Sequence, residues 1–284
     1  MRVVQPSSLD ETLTLLSDDA HWDILAGGTY FYPALGDRPL KKPVLDISRL
    51  NEIRGIEETD TSWKIGGLTS WTDIVRSHTL PPVFTALKQA AREVGSVQIQ
   101  NMGSIAGNLC NASPAADGVP ALMILDTQVE LSGLQGKRLL PLTEFITGNR
   151  QTARRTGELL TAIIIPKSSA RGVSTFLKLG SRKYLVISIV MVAVRLVRSP
   201  ESRIEEVAIS VGACSPVARR LTGLEHKLID KSWDEATLHM ISPADLSELS
   251  PIDDIRGSSD YRREVAAELI VRALGDCLER DHER

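Results

Sequence analysis

Two short segments rich in small residues are the parts of this sequence best suited to hold a ligand. The first is Leu25-Ala26-Gly27-Gly28-Thr29, in which two glycines directly follow a short apolar run. Glycine permits positive φ and close backbone approach, so successive N–H groups can converge on an anion such as a pyrophosphate. The spacing is not the GxGxxG of a classical dinucleotide-binding fold. A plain turn that ends a strand is the alternative interpretation.

The second segment is Ser104-Ile105-Ala106-Gly107-Asn108, which supplies a hydroxyl and an amide able to hydrogen-bond phosphate or ribityl oxygens. The small residues that follow it lead to a carboxylate at Asp117, and a planar ligand can lie close to such a backbone. The alternative is tight loop packing with Asp117 as a helix N-cap. Two phosphate-compatible segments together predict nucleotide binding, but they do not specify the cofactor.

Other kinds of reactive site are not indicated. The three cysteines, at 110, 214 and 277, are far apart, which argues against a zinc site, an iron–sulfur cluster held by this chain, or a disulfide framework. The histidines are scattered, and the sequence has no nucleophile elbow, HExxH or Walker motif. Cys110 is expected to be a small buried packing residue. We assign no catalytic residue and no metal ligand, and expect any chemistry to belong to a bound cofactor.

The composition is that of an ordinary globular protein. The 284 residues are 42% hydrophobic and 24% charged, and 33 basic residues against 36 acidic ones give a net charge of -3. This excludes a disordered chain and does not favour a nucleic-acid partner. The N-terminal residues lack the apolar core of a signal peptide, and the longest apolar run, 185–194, is about half of a membrane span. We expect a cytoplasmic protein without membrane insertion.

The elements that must position the two segments follow from the apolar pattern. Helices are predicted after Ser8 and Ser70, over 82–94 and over 261–280. Segment 95–120 has no clean periodicity and is predicted to be a long functional loop. A linker at 167–172 separates a mixed domain of about 170 residues from a smaller α+β domain. Strands are predicted at 23–26, 43–47, 63–69, 158–166, 174–179, 185–197 and 204–211.

Longer motifs resemble one known family. AGGTY (26–30), IGGLTSWTDI (65–74) and QIQNMGSIAGNLCNASPAADGVPALMILD (98–126) resemble the FAD-binding medium subunit of the molybdenum hydroxylases, the group of carbon monoxide, nicotinate and xanthine dehydrogenases. ELLTAIIIP (158–166) and FLKLGSRKYLVISIVMVAVRL (176–196) extend the resemblance from about residue 1 to 275. It implies an α+β fold: a two-lobed FAD-binding domain of the PCMH/VAO type over 1–170, with lobes at about 1–55 and 56–170. A smaller C-terminal domain with an antiparallel sheet and helices would cover 171–284.

The resemblance also implies the residues that bind FAD. The first loop would hold the diphosphate through backbone N–H groups, and the second would complete that grip. Asn111 and Asp117 match positions facing the ribityl chain and flavin, whereas Lys178 matches a lysine that reaches the flavin. Tyr30 stands where the family commonly has aspartate, and Ala106 where it has glycine; we expect binding to survive both changes. The implied residues are Leu25, Ala26, Gly27, Gly28, Thr29, Tyr30, Gly103, Ser104, Ile105, Ala106, Gly107, Asn108, Asn111, Asp117, Lys178 and Leu160, which matches a leucine in the adenine or isoalloxazine region.

The implied function is electron transfer within an oxidoreductase. Electrons would pass from the [2Fe–2S] clusters of a small partner subunit, supplied by a molybdopterin-containing large subunit, through FAD to NAD, oxygen or a quinone. The assembly would be a heterotrimer or a dimer of heterotrimers. One alternative is a stand-alone FAD-dependent oxidoreductase of the same fold, for which the sequence offers no convincing acid or base. Another alternative is a scaffold subunit that has lost FAD. The sequence argues against it, because it retains the glycines, Asn108, Asp117 and Lys178.

Overall fold

The structure of the chain, a computed structural model, describes residues 2–18, 21–183 and 185–282. These residues form fourteen strands in four sheets, with eleven α-helices and three short 3₁₀ helices. In chain order the strands are β1 (Val3–Val4), β2 (Asp23–Leu25), β3 (Val44–Asp46), β4 (Ile56–Glu58), β5 (Ser62–Gly66), β6 (Gln128–Gly133), β7 (Gly136–Pro141), β8 (Ile146–Gly148), β9 (Gln151–Thr152), β10 (Leu159–Pro166), β11 (Val173–Leu179), β12 (Val190–Arg198), β13 (Ile204–Gly212) and β14 (Arg219–Arg220). The mixture confirms the predicted α+β class.

The helices are short except for the last one. The 3₁₀ helices are Asn51–Ile53, Pro82–Phe84 and Pro243–Leu246. The α-helices are α1 (Leu9–Asp18), α2 (Phe31–Leu35), α3 (Trp71–Arg76), α4 (Thr85–Glu93), α5 (Val97–Met102), α6 (Ile105–Asn111), α7 (Gly118–Met123), α8 (Leu142–Phe145), α9 (Thr222–Leu228), α10 (Glu235–Leu238) and α11 (Ser259–His282). Among the helices of the described ranges, none combines the length and the apolar character that a membrane span requires.

The first sheet is small and parallel, with the order β1-β3-β2. Parallel neighbours need crossover connections, and α1 lies in the one that leads from β1 to β2. It buries Leu13 and Leu16 in a core shared with Leu45. The loop after β2 therefore leaves the carboxyl end of a parallel strand, where open sheets commonly bind ligands.

The second sheet is antiparallel and is built around β10. Its order is β4-β5-β10-β6-β7, so β10 pairs with β5 on one side and with β6 on the other. Side chains of β10 such as Ile163 and Ile165 are fully buried. Helix α6 packs against this strand, which places the second small-residue segment beside the sheet.

The third sheet, β11-β12-β13-β14, is covered on both faces. Alternate residues of β12 point to opposite sides of a strand, so Met191 and Ala193 join the large core with α4, while Val192 and Val194 join a second core with α11. Burial on both faces explains why the sequence of β12 is almost continuously apolar. The chain enters this sheet from the second sheet through residues 167–172.

A tightly tied loop precedes α11. The Asp254 carboxylate accepts hydrogen bonds from the backbone N–H of Arg256 at 2.8 Å and from Arg262 at 2.6 Å. Arg262 is only 1% exposed and also donates to the Ile189 carbonyl at 2.5 Å. The side-chain hydrogen bond from Arg256 and, to a lesser extent, the hydrogen bond and charge of Arg262 lower the pKa of Asp254 to about 2. The loop thus holds Ile255 fully exposed.

The prediction of a long loop over 95–120 is wrong, because α5, α6 and α7 lie within it. Each of these helices has only six or seven residues, too few for the apolar spacing of a helix to repeat. Two of them have serine N-caps, at Ser96 and Ser104.

The strand predicted over 185–197 begins later than expected. β12 starts at Val190, while Leu185 and Ile187 are 53% and 61% exposed. The apolar run crosses from an exposed loop into the sheet, and residue type alone does not mark that boundary.

Candidate cofactor cleft

A cleft of about 790 Å³ lies where the loop after β2 meets α6 and β10. The volume is within the range that holds a cofactor. Apolar side chains such as Trp22, Phe31 and Leu160 line it together with the glycines of both small-residue segments. Three separate parts of the fold therefore contribute to one site.

The first loop is a cradle of free backbone donors. A Cβ atom on Gly27 would lie 1.7 Å from the carbonyl oxygen of Met102, so only glycine permits this close approach. Gly28 has φ +72°, in the left-handed region that glycine adopts easily. Within the described residues the N–H groups of Gly27, Gly28 and Thr29 donate no hydrogen bond. Three consecutive free donors at a strand end are suited to an anion.

The second segment contributes mainly side chains and surface to the cleft, because most of its backbone N–H groups are already hydrogen-bonded. Ser104 is the N-cap of α6 and accepts from the N–H of Gly107 at 3.1 Å. The N–H groups of Ile105 and Ala106 donate, at 3.0 and 3.1 Å, to carbonyl oxygens of the loop between β5 and α3. These interactions fix α6 against the second sheet.

Two residues of α6 bear on cofactor binding. Ala106 lies in the first turn of the helix and has no positive φ, so its methyl group needs no glycine-type backbone. Asn108 lines the cleft, and its Oδ1 is buried without a hydrogen bond from the described residues. A buried acceptor without a donor is costly. Because this oxygen is closed to solvent, the amide of Asn108 must rotate before it can accept a hydrogen bond from a bound hydroxyl.

Most of the residues implied by the resemblance line the cleft. Leu25, Ile105, Asp117 and Lys178 are not part of its lining, and their contact with a cofactor stays a prediction. Those on the lining are Ala26, Gly27, Gly28, Thr29, Tyr30, Gly103, Ser104, Ala106, Gly107, Asn108, Asn111 and Leu160.

Asp117 and Lys178 form a buried ion pair with each other. Lys178 Nζ lies 2.8 Å from Asp117 Oδ2, and the two side chains are 6% and 9% exposed. Ser188 donates to the other carboxylate oxygen at 2.7 Å, and the Glu93 carbonyl accepts from Lys178 at 3.3 Å. Burial raises the pKa of Asp117, and the ammonium of Lys178 opposes that shift. Asp117 stands at the N-cap position of α7 but makes no side-chain cap.

The cleft is also lined by four basic residues that the sequence alone did not indicate. They are Arg38, Lys42, Arg150 and Arg154. The guanidinium of Arg150 lies 4.6 Å from the ring centroid of Tyr30, which is 52% exposed. The segment 148–155, with three arginines, was the available signal. Three arginines in so short a segment are equally typical of a solvated surface, so residue type alone does not mark them as an anion site.

The prediction that Cys110 is buried is wrong, because its residue is exposed and lines the cleft. The buried face of α6 carries Ile105 and Leu109. Cys110 lies one helical turn beyond Ala106, and both residues line the cleft.

The residues present fit FAD. Free backbone donors for a diphosphate, an unsatisfied amide oxygen and apolar walls for ring systems occur in one cleft.

Comparison with known proteins gives the same result. Residues 1–168 match the FAD binding domain in molybdopterin dehydrogenase, and residues 175–277 match the CO dehydrogenase flavoprotein C-terminal domain. The chain is 31% identical to the glyceraldehyde dehydrogenase medium chain of Sulfolobus acidocaldarius over 95% of its own length and 96% of that chain. It is 39% identical to the nicotinate dehydrogenase FAD-subunit of Eubacterium barkeri over 65% of its own length and 64% of that protein.

A solved structure shares the fold over nearly the whole chain. The crystal structure of the Cu,Mo-CO dehydrogenase in its cyanide-inactivated form contains a chain that matches with a TM-score of 0.90 at 25% identity, covering 99% of this chain and 98% of that one. The predicted fold is thereby confirmed. With more than half of its length matched by the FAD-binding family and a relative above 30% identity along almost all of it, the chain belongs to the FAD-binding medium subunits of the molybdenum hydroxylases.

Proposed function

We propose that this chain transfers electrons from the [2Fe–2S] clusters of a small partner subunit, through its FAD, to an external acceptor such as NAD, oxygen or a quinone. A large subunit with molybdopterin would oxidise the substrate, in a heterotrimer or a dimer of heterotrimers. The observation that carries the proposal is the cradle at Gly27, Gly28 and Thr29, which have unpaired N–H groups in the described chain and line the same cleft as residues of α6 and β10. The relatives are named as chains or subunits of dehydrogenases, which supports a partner-dependent function.

FAD, when bound, accepts and releases electrons, and the residues of this chain position it. The free N–H groups of the first loop hold the diphosphate without needing to reorganise. The amide of Asn108 orients a hydroxyl-bearing chain, and Leu160 supplies an apolar surface for a ring. These groups hold and orient the cofactor, so specificity for the oxidised substrate lies with the large subunit.

The cytoplasm is the proposed compartment. Cys110 and Cys214 are free thiols in the described part of the chain. Unpaired cysteines are normal in a reducing environment and less usual in an oxidising one.

The first experiment is the visible spectrum of the purified full chain, with release and identification of the bound nucleotide. We expect a flavin spectrum with about one FAD per chain, either as purified or after addition of FAD. A colourless chain that takes up no FAD would favour the scaffold alternative. Substrate turnover by the isolated chain would favour the stand-alone enzyme.

We propose that Lys178, paired with Asp117, stabilises an anionic reduced flavin electrostatically. Replacing Lys178 by methionine leaves the buried Asp117 carboxylate without its cation, which we expect to lower the free energy of unfolding by about 3–5 kcal/mol. If Lys178 also acts on the flavin, K178M should in addition shift the reduction potential of the bound FAD. A K178M variant with reduced stability and an unchanged potential would restrict the pair to a structural role, and the K178M/D117N double variant separates the loss of charge from the unpaired carboxylate.

A further inference from the structure

One arginine connects the two segments that form the cofactor cleft. The guanidinium of Arg150 lies over the Tyr30 ring, which belongs to the first loop. The same side chain donates to the carbonyl oxygen of Asn111 at 3.3 Å and to its side-chain oxygen, at the end of α6. A single side chain therefore bridges the mouth of the cleft.

The backbone of Arg150 is fixed in a conformation that places its side chain at the cleft. It lies at the tip of the hairpin β8–β9, and its N–H donates to the Ala112 carbonyl at 2.9 Å. Its φ is +60°, in the region that favours glycine and asparagine. The neighbouring Asn149 would adopt this conformation more easily, yet the structure gives it to the arginine. Strained backbone that persists at a cleft points to a functional side chain.

The charge of Arg150 is still available to a ligand. Its partners in the described part of the chain are an aromatic ring, a carbonyl and a side-chain amide, all of them neutral. Both hydrogen bonds come from one terminal nitrogen, Nη1, so Nε and Nη2 remain as a pair of parallel donors. This edge of a guanidinium binds two oxygens of a phosphate group well.

In the described part of the chain, none of the other three cations of the cleft contacts both Tyr30 and the end of α6. Lys42 lies 3.8 Å from the carboxylate of Asp23. Arg38 caps the carbonyl end of α2, and Arg154 donates to the Glu158 carbonyl at 2.8 Å.

We propose that Arg150 is a cofactor-binding residue that supplies the positive charge beside the diphosphate of FAD, and that Tyr30 positions it. The inference rests on the proposed FAD binding. The first loop offers neutral N–H donors, and a diphosphate needs compensation of its charge as well. An aspartate at position 30 would pair with Arg150 and cancel that charge, whereas the tyrosine ring holds the guanidinium and leaves the charge free.

The test compares flavins with and without phosphate on the full chain freed of cofactor. FAD and riboflavin are titrated against the unmodified chain and against R150M, with flavin fluorescence as the signal. We expect R150M to weaken FAD binding about tenfold or more, and to change riboflavin binding less than twofold. The FAD difference should shrink as salt is added, because salt screens the charge. Y30D should weaken FAD binding as R150M does, and Y30L should do so less strongly.

The matched control is R155M, since Arg155 is exposed in the same basic segment and does not line the cleft. It should bind both flavins as the unmodified chain does. If R150M binds FAD as tightly as the unmodified chain, the inference about Arg150 is overturned, while the proposed function stands. An equal loss for FAD and riboflavin overturns it as well, since that indicates a contact without charge. An unmodified chain that binds no flavin overturns both the inference and the proposed function.

Discussion

Gly27 is the residue at which the first loop touches the backbone at the end of α5. A methyl group there would meet the Met102 carbonyl at 1.7 Å, and neither backbone can move without disturbing β2 or α5. We expect G27A to weaken FAD binding more than tenfold and to lower the free energy of unfolding by about 1–3 kcal/mol, the usual cost of overpacking. Flavin titration and chemical unfolding measure the two effects.

The control for this change is Gly133 in β6, where an added Cβ would make its nearest contact at 3.5 Å, an ordinary van der Waals distance. G133A should leave FAD binding unchanged. Equal FAD affinity in G27A and G133A would show that the close approach does not matter for the cofactor.

Asp254 provides a pH-dependent contribution to stability. Hydrogen bonds from Arg256 and Arg262 hold its folded-state pKa at about 2, below the value in the unfolded chain. The carboxylate therefore stabilises the fold fully above about pH 4, and this contribution is lost as the pH falls from about 4 towards 2. D254N should lower the free energy of unfolding by about 2 kcal/mol at pH 7.

The measurement is urea unfolding of D254N and of the unmodified chain at several pH values between 7 and 3. The difference between them should narrow at the acid end. A difference that stays constant with pH would mean that the hydrogen bonds of Asp254 do not depend on its charge. The exposed Asp60, between β4 and β5, serves as the control, and D60N should change stability by less than about 0.5 kcal/mol.

The sequence was sufficient to locate most of the cleft at this scale. Glycine pairs and small residues are read directly, so Gly27, Gly28 and Asn108 were found in advance. Arg150 was not, because its importance depends on Tyr30, which is 120 residues away in the sequence and reaches it only through the fold. The ion pair between Asp117 and Lys178 could not be predicted from residue type either. A buried aspartate or lysine can bind a cofactor or another side chain equally well.

At the scale of elements, two arginines from the third sheet secure the end of α7. Arg195 donates to the Ile124 carbonyl at 2.8 Å, and Arg220 donates to the Met123 carbonyl at 3.0 Å. Arg220 also pairs with Glu225, which is only 7% exposed. These bonds satisfy carbonyl groups that a helix end leaves free.

R220M removes the bond to the Met123 carbonyl and leaves Glu225 buried without its cation. We expect the free energy of unfolding to fall by about 3 kcal/mol, as for other broken buried pairs. R219M is the matched control, because the adjacent Arg219 is exposed on the same strand, and its change should stay within about 0.5 kcal/mol. Thermal or urea unfolding of the two variants tests this, and equal values for both would contradict the role of Arg220.

Elements with long apolar patterns were predicted well, and short ones were not. β10, β11 and β13 were found because burial on the sheet repeats over seven or more residues. α6 and α7 were missed because a six- or seven-residue helix is fixed by its neighbours, as the carbonyls that receive the first N–H groups of α6 show. Tertiary contacts of that kind leave no periodic signal.

At the scale of the whole molecule, cofactor binding and folding are linked. The cleft exists only when the first sheet, α6 and β10 are assembled, so FAD binds the folded chain and not the unfolded one. FAD at 100 times its Kd should therefore raise the free energy of unfolding by about 2.7 kcal/mol. Thermal unfolding at increasing FAD concentrations measures this, with riboflavin as the comparison.

Hydrogen exchange separates this global effect from a local one. The N–H groups of Gly27, Gly28 and Thr29 should exchange rapidly without FAD and slowly with it, because they have no partner in the described chain. Those of Ile105 and Ala106 are already bonded and should change little beyond the global gain in stability. Protection confined to α6 would contradict the assigned role of the first loop.

The central position of β10 also fixes an order of events during synthesis. β5 and β6 both pair with β10, so the second sheet cannot close until residues 159–166 have left the ribosome. At about 5–20 residues per second, the glycine cradle emerges many seconds before the strand that completes its cleft. In a shorter nascent chain, the helices that pack on this sheet have no surface to cover, and their apolar faces are open to chaperones. Flavin loading is therefore a late step, which begins only once residues 159–166 have been made.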